Sequence, residues 1–218
     1  MKILILGGTG RTGIQLIEEG LRRGHQINAL VRYPEKLKSE SSNLQVIKGT
    51  PSNIDDLRKA INGAEVVFNT LNISTNSNWP WAKLRTPKDF ISSSIRNMIN
   101  VMHEERIKRI ITMSAHGAGD SITEVPGWFK LLISYSTMRY AYKEHGEQEK
   151  LLKESDLDWI VVRPMSLTDS QKTEEIQVSF KGVPKPRMTI SRRSVAIFML
   201  DIAENDKYIR QAPTISKK

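Results

Sequence analysis

The feature that most constrains this chain is its first turn. Ile3-Leu4-Ile5-Leu6 is an unbroken apolar run that ends in Gly7-Gly8-Thr9-Gly10-Arg11-Thr12-Gly13. A short run without polar alternation reads as a strand buried on both faces, and such strands belong to parallel sheets covered by helices. From Arg11 the apolar positions Ile14, Ile17 and Leu21 recur at helical spacing, and Gly24 stands where a helix C-terminal cap belongs. Strand, glycine turn and helix therefore follow one another within the first 24 residues.

The same alternation continues. Gln26 to Arg32, Leu44 to Lys48, Glu65 to Leu71, Arg109 to Ser114 and Trp159 to Arg163 read as strands, the last ending at Pro164. Ile54, Leu57 and Ile61 mark one helix, and Thr86-Pro87 starts another with proline at its first position, followed by the stripe Ile91, Ile95, Met98 and Met102. Asn72 to Arg85 has no periodicity and contains Trp79-Pro80-Trp81, which marks an excursion or lid. Gly127 to Glu154 is largely helical. Beyond Pro164, Ile176 to Phe180 and Arg187 to Ile190 read as a small hairpin around Gly182, Ser191 to Ala203 as a terminal helix, and Lys217-Lys218 as a frayed end. The expected fold is a doubly wound α/β Rossmann type with a mainly parallel sheet. The expected organisation is one domain over residues 1–218, in which about 165–218 form a small substrate lobe.

Composition narrows the chemistry. The chain has 218 residues, 39% hydrophobic and 26% charged, enough for a packed core. No cysteine is present, which excludes disulfides, thiolate metal sites and cysteine nucleophiles. His25, His103, His116 and His145 show no metal-ligand spacing, so no metal is expected. No apolar run approaches the ~20 residues of a membrane span; a cytoplasmic protein without a membrane partner, monomer or homodimer, is expected. The formal charge is +9. It is scattered, without the runs or signatures of a nucleic-acid binder, and fits either a solvated basic surface or a pocket for a multiply phosphorylated ligand.

Gly7, Gly10 and Gly13 have the spacing G-x-x-G-x-x-G after a strand and before a helix. Glycines let the backbone turn sharply and approach a diphosphate, while the helix N-terminus offers amides and about half a positive charge. The alternative is a purely structural turn. No Gly-Lys-Ser/Thr follows, which excludes a Walker loop. Where an NAD site places an acid on the ribose 2′-hydroxyl, this chain has Arg32, with Arg11 and Lys36 nearby. A cation there favours a 2′-phosphate, so NADP(H) is expected over NAD(H), unless Arg32 simply points to water. Gly7, Arg32, Thr50, Leu71, Ser114 and Pro164 each close an expected strand, so one crevice runs along the carboxyl edge of the sheet.

The glycine turn, Ala29-Leu30-Val31-Arg32 and Leu157-Asp158-Trp159-Ile160-Val161-Val162-Arg163-Pro164 together resemble the atypical short-chain dehydrogenase/reductases. The nearest resemblance is to the NAD(P)H-binding group of NmrA-like regulators, NADH-flavin reductase-like proteins and biliverdin IXβ/flavin reductases. The resemblance implies that Gly7, Thr9, Gly10, Arg11, Thr12 and Gly13 hold the diphosphate and Arg32 the 2′-phosphate. It places Leu71 and Asn72 beside the ribose or nicotinamide, Ser114 at the active-site serine position, and Pro164, Met165 and on to Leu167 along the nicotinamide.

Four positions depart from that pattern. Thr50-Pro51 replaces the aspartate and following amide that meet the adenine; Thr50 keeps a hydroxyl, but proline has no N–H to donate. The Tyr-x-x-x-Lys pair is absent: Arg139 stands four before Lys143, and the residues four after Tyr135, Tyr140 and Tyr142 are Arg139, Glu144 and Gly146. Met165 replaces the histidine of the flavin/biliverdin reductases, and Asn72 a glycine. Ser114, His116 and Lys143 are the catalytic candidates, His116 as a proton donor near the crevice. Trp79, Trp81, Trp128, Phe129 and Tyr135 either pack under the lid or wall a flat acceptor by stacking. These features suggest an NADPH-dependent oxidoreductase that passes hydride to a flavin or quinone, with flavin as substrate rather than prosthetic group. The alternative is a non-catalytic NADP-sensing regulator.

Overall fold

A computed structural model describes residues 1–37, 41–77 and 79–218. Asn78, within the expected lid, lies outside the described residues. The opening elements fall where the sequence places them: β1 (Lys2–Leu6), α1 (Arg11–Arg22), β2 (Gln26–Val31), β3 (Leu44–Lys48), α2 (Ile54–Ile61) and β4 (Val66–Asn69). They are followed by α3 (Phe90–Glu104), β5 (Arg109–Met113), α4 (Gly127–Ser134), α5 (Met138–Glu154) and β6 (Asp158–Pro164). The chain ends with β7 (Ser166–Thr168), β8 (Ile176–Ser179), β9 (Thr189–Ser191), α6 (Arg192–Glu204) and β10 (Thr214–Lys217).

Among the described residues the main sheet has eight strands in the order β3-β2-β1-β4-β5-β6-β10-β8, parallel except for β8. The unbroken apolar run of β1 is explained by its two covered faces. Ile3 and Ile5 pack with Ile17 of α1 and with Val195 and Met199 of α6; Leu4 and Leu6 pack with Leu57 of α2, Ile95 of α3 and Leu152 of α5. Alternate side chains go to opposite layers, so the four buried positions from Ile3 to Leu6 are all apolar and only Lys2, at the strand's open end, is polar.

Three expectations are corrected. The helix expected to open at Thr86-Pro87 begins at Phe90, because Glu144 of α5 takes over its capping: the Ser92 N–H donates to Glu144 Oε2 at 2.8 Å and the Ser92 hydroxyl to Oε1 at 3.2 Å. The arms of the hairpin expected around Gly182 do not pair with each other, and only Phe180 and Val183 bridge across the turn. Instead β8 pairs antiparallel with β10, while β9 pairs parallel with β7 in a separate two-stranded sheet. The end expected to fray is a sheet strand: β10 lies between β6 and β8, with Ile215 fully buried. The last segment thus extends the main sheet through β10 and β8, and β7, which follows β6 directly, pairs with β9 beside the carboxyl end of β6. Among the described residues no helix is long and apolar enough to cross a membrane.

Candidate functional site

The glycine turn is held from below and cannot accept a side chain at Gly7 or Gly13. Gly7 has φ +81°, and the Gly10 N–H donates to its carbonyl at 2.9 Å. The Thr70 hydroxyl, at the end of β4, donates to Leu6 O at 2.9 Å and to Gly7 O at 3.3 Å, fixing the turn against the sheet. A Cβ on Gly13 would stand 2.9 Å from both Gly7 C and Gly8 Cα and nearer still to Gly7 O. Glycine at 13 therefore lets α1 start directly against the end of β1. Gly10, the N-cap of α1, brings no side chain to the first turn, so that end of the helix dipole faces whatever lies in front of it.

In front lies a cavity of about 520 Å³, within the range of small-molecule sites. Its walls include Gly7, Thr9, Gly10, Arg11 and Thr12 from the turn, Arg32, Tyr33 and Lys36 after β2, and Leu71, Asn72 and Ile73 after β4. Among the described residues five cations line it (Arg11, Arg32, Lys36, Arg85 and Arg192) and no carboxylate does. The Arg32 guanidinium lies 5.5 Å from the Phe90 ring centroid and 6.0 Å from that of Tyr33, and Lys36 Nζ is 4.6 Å from the Tyr33 ring. Exposed, positioned cations at the end of β2 are what a 2′-phosphate requires.

Arg192 has no sequence signal beyond being the first residue of a helix, yet it faces the glycine turn. Its Nη1 donates to Asp169 Oδ1 at 2.6 Å, and Arg11 Nη1 donates to Asp169 Oδ2 at 3.3 Å. Burial, and then the Arg11 charge beside it, hold Arg192 below the usual arginine range despite Asp169. Two guanidiniums and the first turns of α1 and α6 thus converge where a diphosphate would approach α1.

The other expected site residues lie elsewhere. Gly13 is buried behind the turn. At the adenine end Pro51, not Thr50, lines the cavity, and the Thr50 N–H donates to Asp56 Oδ2 at 3.0 Å. Asp56, from the first turn of α2, thus brings a carboxylate behind Gly49 to the strand end where Thr50-Pro51 lacks one. Pro164 and Met165 turn towards β10: the Met165 N–H donates to Ile215 O at 2.9 Å, and Leu167 reaches the cavity instead.

None of the three catalytic candidates is among the described residues lining the cavity. Ser114 is buried, and its hydroxyl donates to Glu149 Oε1 at 2.7 Å. Glu149 is in turn paired with buried Arg163, which also meets Asp120. Burial opposes the Arg163 charge, but these two carboxylates outweigh it and hold the guanidinium charged. His116 is mostly buried, 3.9 Å from Glu124, and burial pushes its imidazole down towards the neutral form. Lys143 is exposed on α5.

Beneath the cavity floor runs a buried polar chain that the sequence did not signal. Asn69 Nδ2 donates to Thr112 Oγ1 at 2.8 Å and to Gln148 Oε1 at 3.1 Å, while its Oδ1 accepts the Leu71 N–H at 3.1 Å. Gln148 Nε2 donates to Met113 O at 3.0 Å and to His145 Nδ1 at 2.9 Å. This chain locks the ends of β4 and β5 to α5 and fixes the backbone of Leu71 at the cavity wall.

Comparison with known proteins agrees with this geometry. UPF0659 protein C216.03 of Schizosaccharomyces pombe is 24% identical over 217 residues, covering 91% of this chain and 84% of that protein. A wide-type short-chain dehydrogenase/reductase from Veillonella parvula, solved in complex with NADP, superposes with a TM-score of 0.79 at 19% identity, over 99% of this chain and 94% of that one. ChuY, described as an anaerobillin reductase from Escherichia coli O157:H7, superposes with a TM-score of 0.79 at 19% identity, over 100% and 97%. The model of the NAD(P)H-binding family matches residues 7–206. This Rossmann-fold chain, with its glycine turn and cation-lined cavity, belongs to the NAD(P)H-binding family.

Proposed function

We propose that the protein is an NADPH-dependent reductase whose acceptor is a flat, two-electron carrier of the flavin or quinone type. The observation that carries the cofactor half of this reading is the cavity wall of five cations without a carboxylate, built on the glycine turn. Gly7, Thr9, Gly10, Arg11 and Thr12, with Arg192, would hold the diphosphate. Arg32, stiffened against Phe90 and flanked by Lys36, would hold the 2′-phosphate. A neighbour of the same fold solved with NADP supports that assignment, and a neighbour described as a reductase supports the direction of transfer.

Bound reduced nicotinamide supplies a hydride. The chain's contribution is to bind and orient: Leu71, Ile73, Met113 and Leu167 offer the apolar walls against which two flat rings can lie face to face away from water. The Tyr-x-x-x-Lys pair is missing, and the Ser114 hydroxyl is committed to Glu149. No side chain is therefore assigned to protonate a carbonyl. A flavin or quinone takes hydride into a conjugated ring and its remaining proton from solvent, so it needs no such group.

The same commitment of Ser114 favours a second reading, a binding protein that senses NADP and turns nothing over. The test is NADPH oxidation followed at 340 nm with FMN, a benzoquinone and dichlorophenolindophenol. Turnover that survives Ser114→Ala and drops by about tenfold or more in Arg32→Ala, from loss of one charged hydrogen bond, is expected. Tight NADPH binding without turnover on any acceptor would establish the sensor.

A further inference from the structure

We propose that the face formed by α4 and the tip of the loop between β4 and α3 docks on the surface of an anionic lipid bilayer. Trp79, Trp81, Trp128, Leu131 and Tyr135 stand there between 52% (Trp81) and 74% (Tyr135) exposed. They form one surface. The Trp81 indole N–H donates to Tyr135 O at 2.8 Å, the Thr137 N–H and hydroxyl donate to Pro80 O at 2.8 and 2.6 Å, and the Trp79 and Trp81 rings lie 5.4 Å apart.

The charge around these aromatics has one sign. Residues 66–88 and 125–143, which supply the face, contain no Asp or Glu. Besides Arg85, which turns to the cavity, they carry Lys83, Lys88, Lys130, Arg139 and Lys143. Lys88 and Arg139 lie 4.7 and 4.8 Å from the Tyr140 ring centroid. Among the described residues none of the five pairs with a carboxylate. Of the carboxylates on the flanks, Glu144 is buried on the Ser92 amide and Glu124 faces His116, which leaves Asp89, exposed beside Lys88, as the acid at the edge of the face.

Exposed aromatics ringed by unpaired cations call for a partner that is apolar within and negative outside. A second copy of the chain fails that condition, because it would bring ten cations together with no acid between them. A bilayer meets it: Trp and Tyr settle at headgroup level, Leu131 reaches the acyl boundary, and the lysines meet anionic lipid phosphates. Helix α4 suits such a position. Of its residues only Lys130 and Ser134 carry polar side chains, with Ile133 turned inward and Trp128 and Leu131 outward. Docking of this kind needs no spanning helix. The same loop walls the nucleotide cavity through Asn72, Ile73, Ser74, Thr75 and Arg85, so docking brings that wall to the lipid. The inference does not rest on the reductase reading.

The experiment is co-sedimentation of the full chain with phosphatidylcholine vesicles, with and without about one-third phosphatidylglycerol, alongside tryptophan fluorescence. The protein is expected to pellet with the anionic vesicles only, with a blue shift, and to be released by salt. Lys83→Gln and Lys130→Gln should each weaken partition roughly fivefold, and Trp128→Ser on the order of tenfold. Lys83 and Trp128 are exposed and Lys130 is half-buried without an ion-pair partner among the described residues, so unchanged circular dichroism and melting are expected. Any of four results overturns the proposal: protein left in the supernatant at low salt; variants that pellet like the wild type; a dimer that Trp128→Ser dissolves; or capture of a single-stranded oligonucleotide with vesicles rejected.

Discussion

Replacing Gly13 by alanine probes the junction on which the nucleotide site is built. The added Cβ would sit 2.9 Å from Gly7 C and Gly8 Cα and closer to Gly7 O, against an ordinary contact of 3.4–4 Å. All three atoms are backbone, so no rotamer change relieves the clash, and the start of α1 must retreat from the end of β1 by ~0.5–1 Å. Overpacking of this kind costs about 1–3 kcal/mol, and the gain of up to about 1 kcal/mol from removing a helical glycine offsets only part of it. For a domain of this size the melting temperature should fall by roughly 2–8 °C. The same retreat draws the first amides of α1 off a diphosphate, and losing one charge-assisted hydrogen bond should weaken nucleotide binding by about tenfold or more. Gly20→Ala on the same helix is the control: its Cβ meets only the end of the Ile27 side chain, at 2.9 Å, so affinity should hold. The measurements are thermal melting and NADPH fluorescence titration of both variants. A Gly13→Ala protein that melts and binds like the wild type would refute the close-approach argument.

Arg192→Ala should weaken NADPH and NADH alike, by roughly tenfold, because the diphosphate is common to both; a loss confined to NADPH in parallel titrations would place Arg192 at the 2′-phosphate instead. Burial pushes the His145 imidazole down to about 4, so the unfolded chain, with an ordinary value near 6.5, takes the proton first as pH falls. The contribution of neutral His145 is thus complete above about pH 6.5 and is lost towards pH 4, reaching about 3 kcal/mol. Urea unfolding at pH 7 and pH 4.5 should show the wild type losing about 2–3 kcal/mol more than His145→Gln, and equal losses would contradict this.

The amino-terminal half was legible because its physics is local. A strand covered on both faces leaves an unbroken apolar run, and a backbone that must pass within contact of itself leaves glycines. Arg32 was legible because its position is counted from that turn. The rest depended on contacts between distant segments. Thr214-Ile215-Ser216-Lys217 has one large apolar residue and becomes a strand because β6, some fifty residues earlier, offers it an edge on one side and β8 pairs with it on the other. Ser114 closes β5 as the sequence indicates, but its orientation is set by Glu149 across the sheet on α5. Arg192 meets Asp169 because the parallel strands β7 and β9 end side by side at Thr168 and Ser191, and no periodicity announces that meeting.

The central claim is that a glycine turn and neighbouring cations form a seat for a dinucleotide carrying a third phosphate. Calorimetric titration of the wild type and of Arg32→Glu with NADPH and NADH tests it most directly. The wild type should bind NADPH at least about tenfold more tightly than NADH, through the charged contact at the 2′-phosphate, and Arg32→Glu should abolish or invert that ratio. Absence of heat with either nucleotide, or a preference unmoved by the substitution, would contradict it.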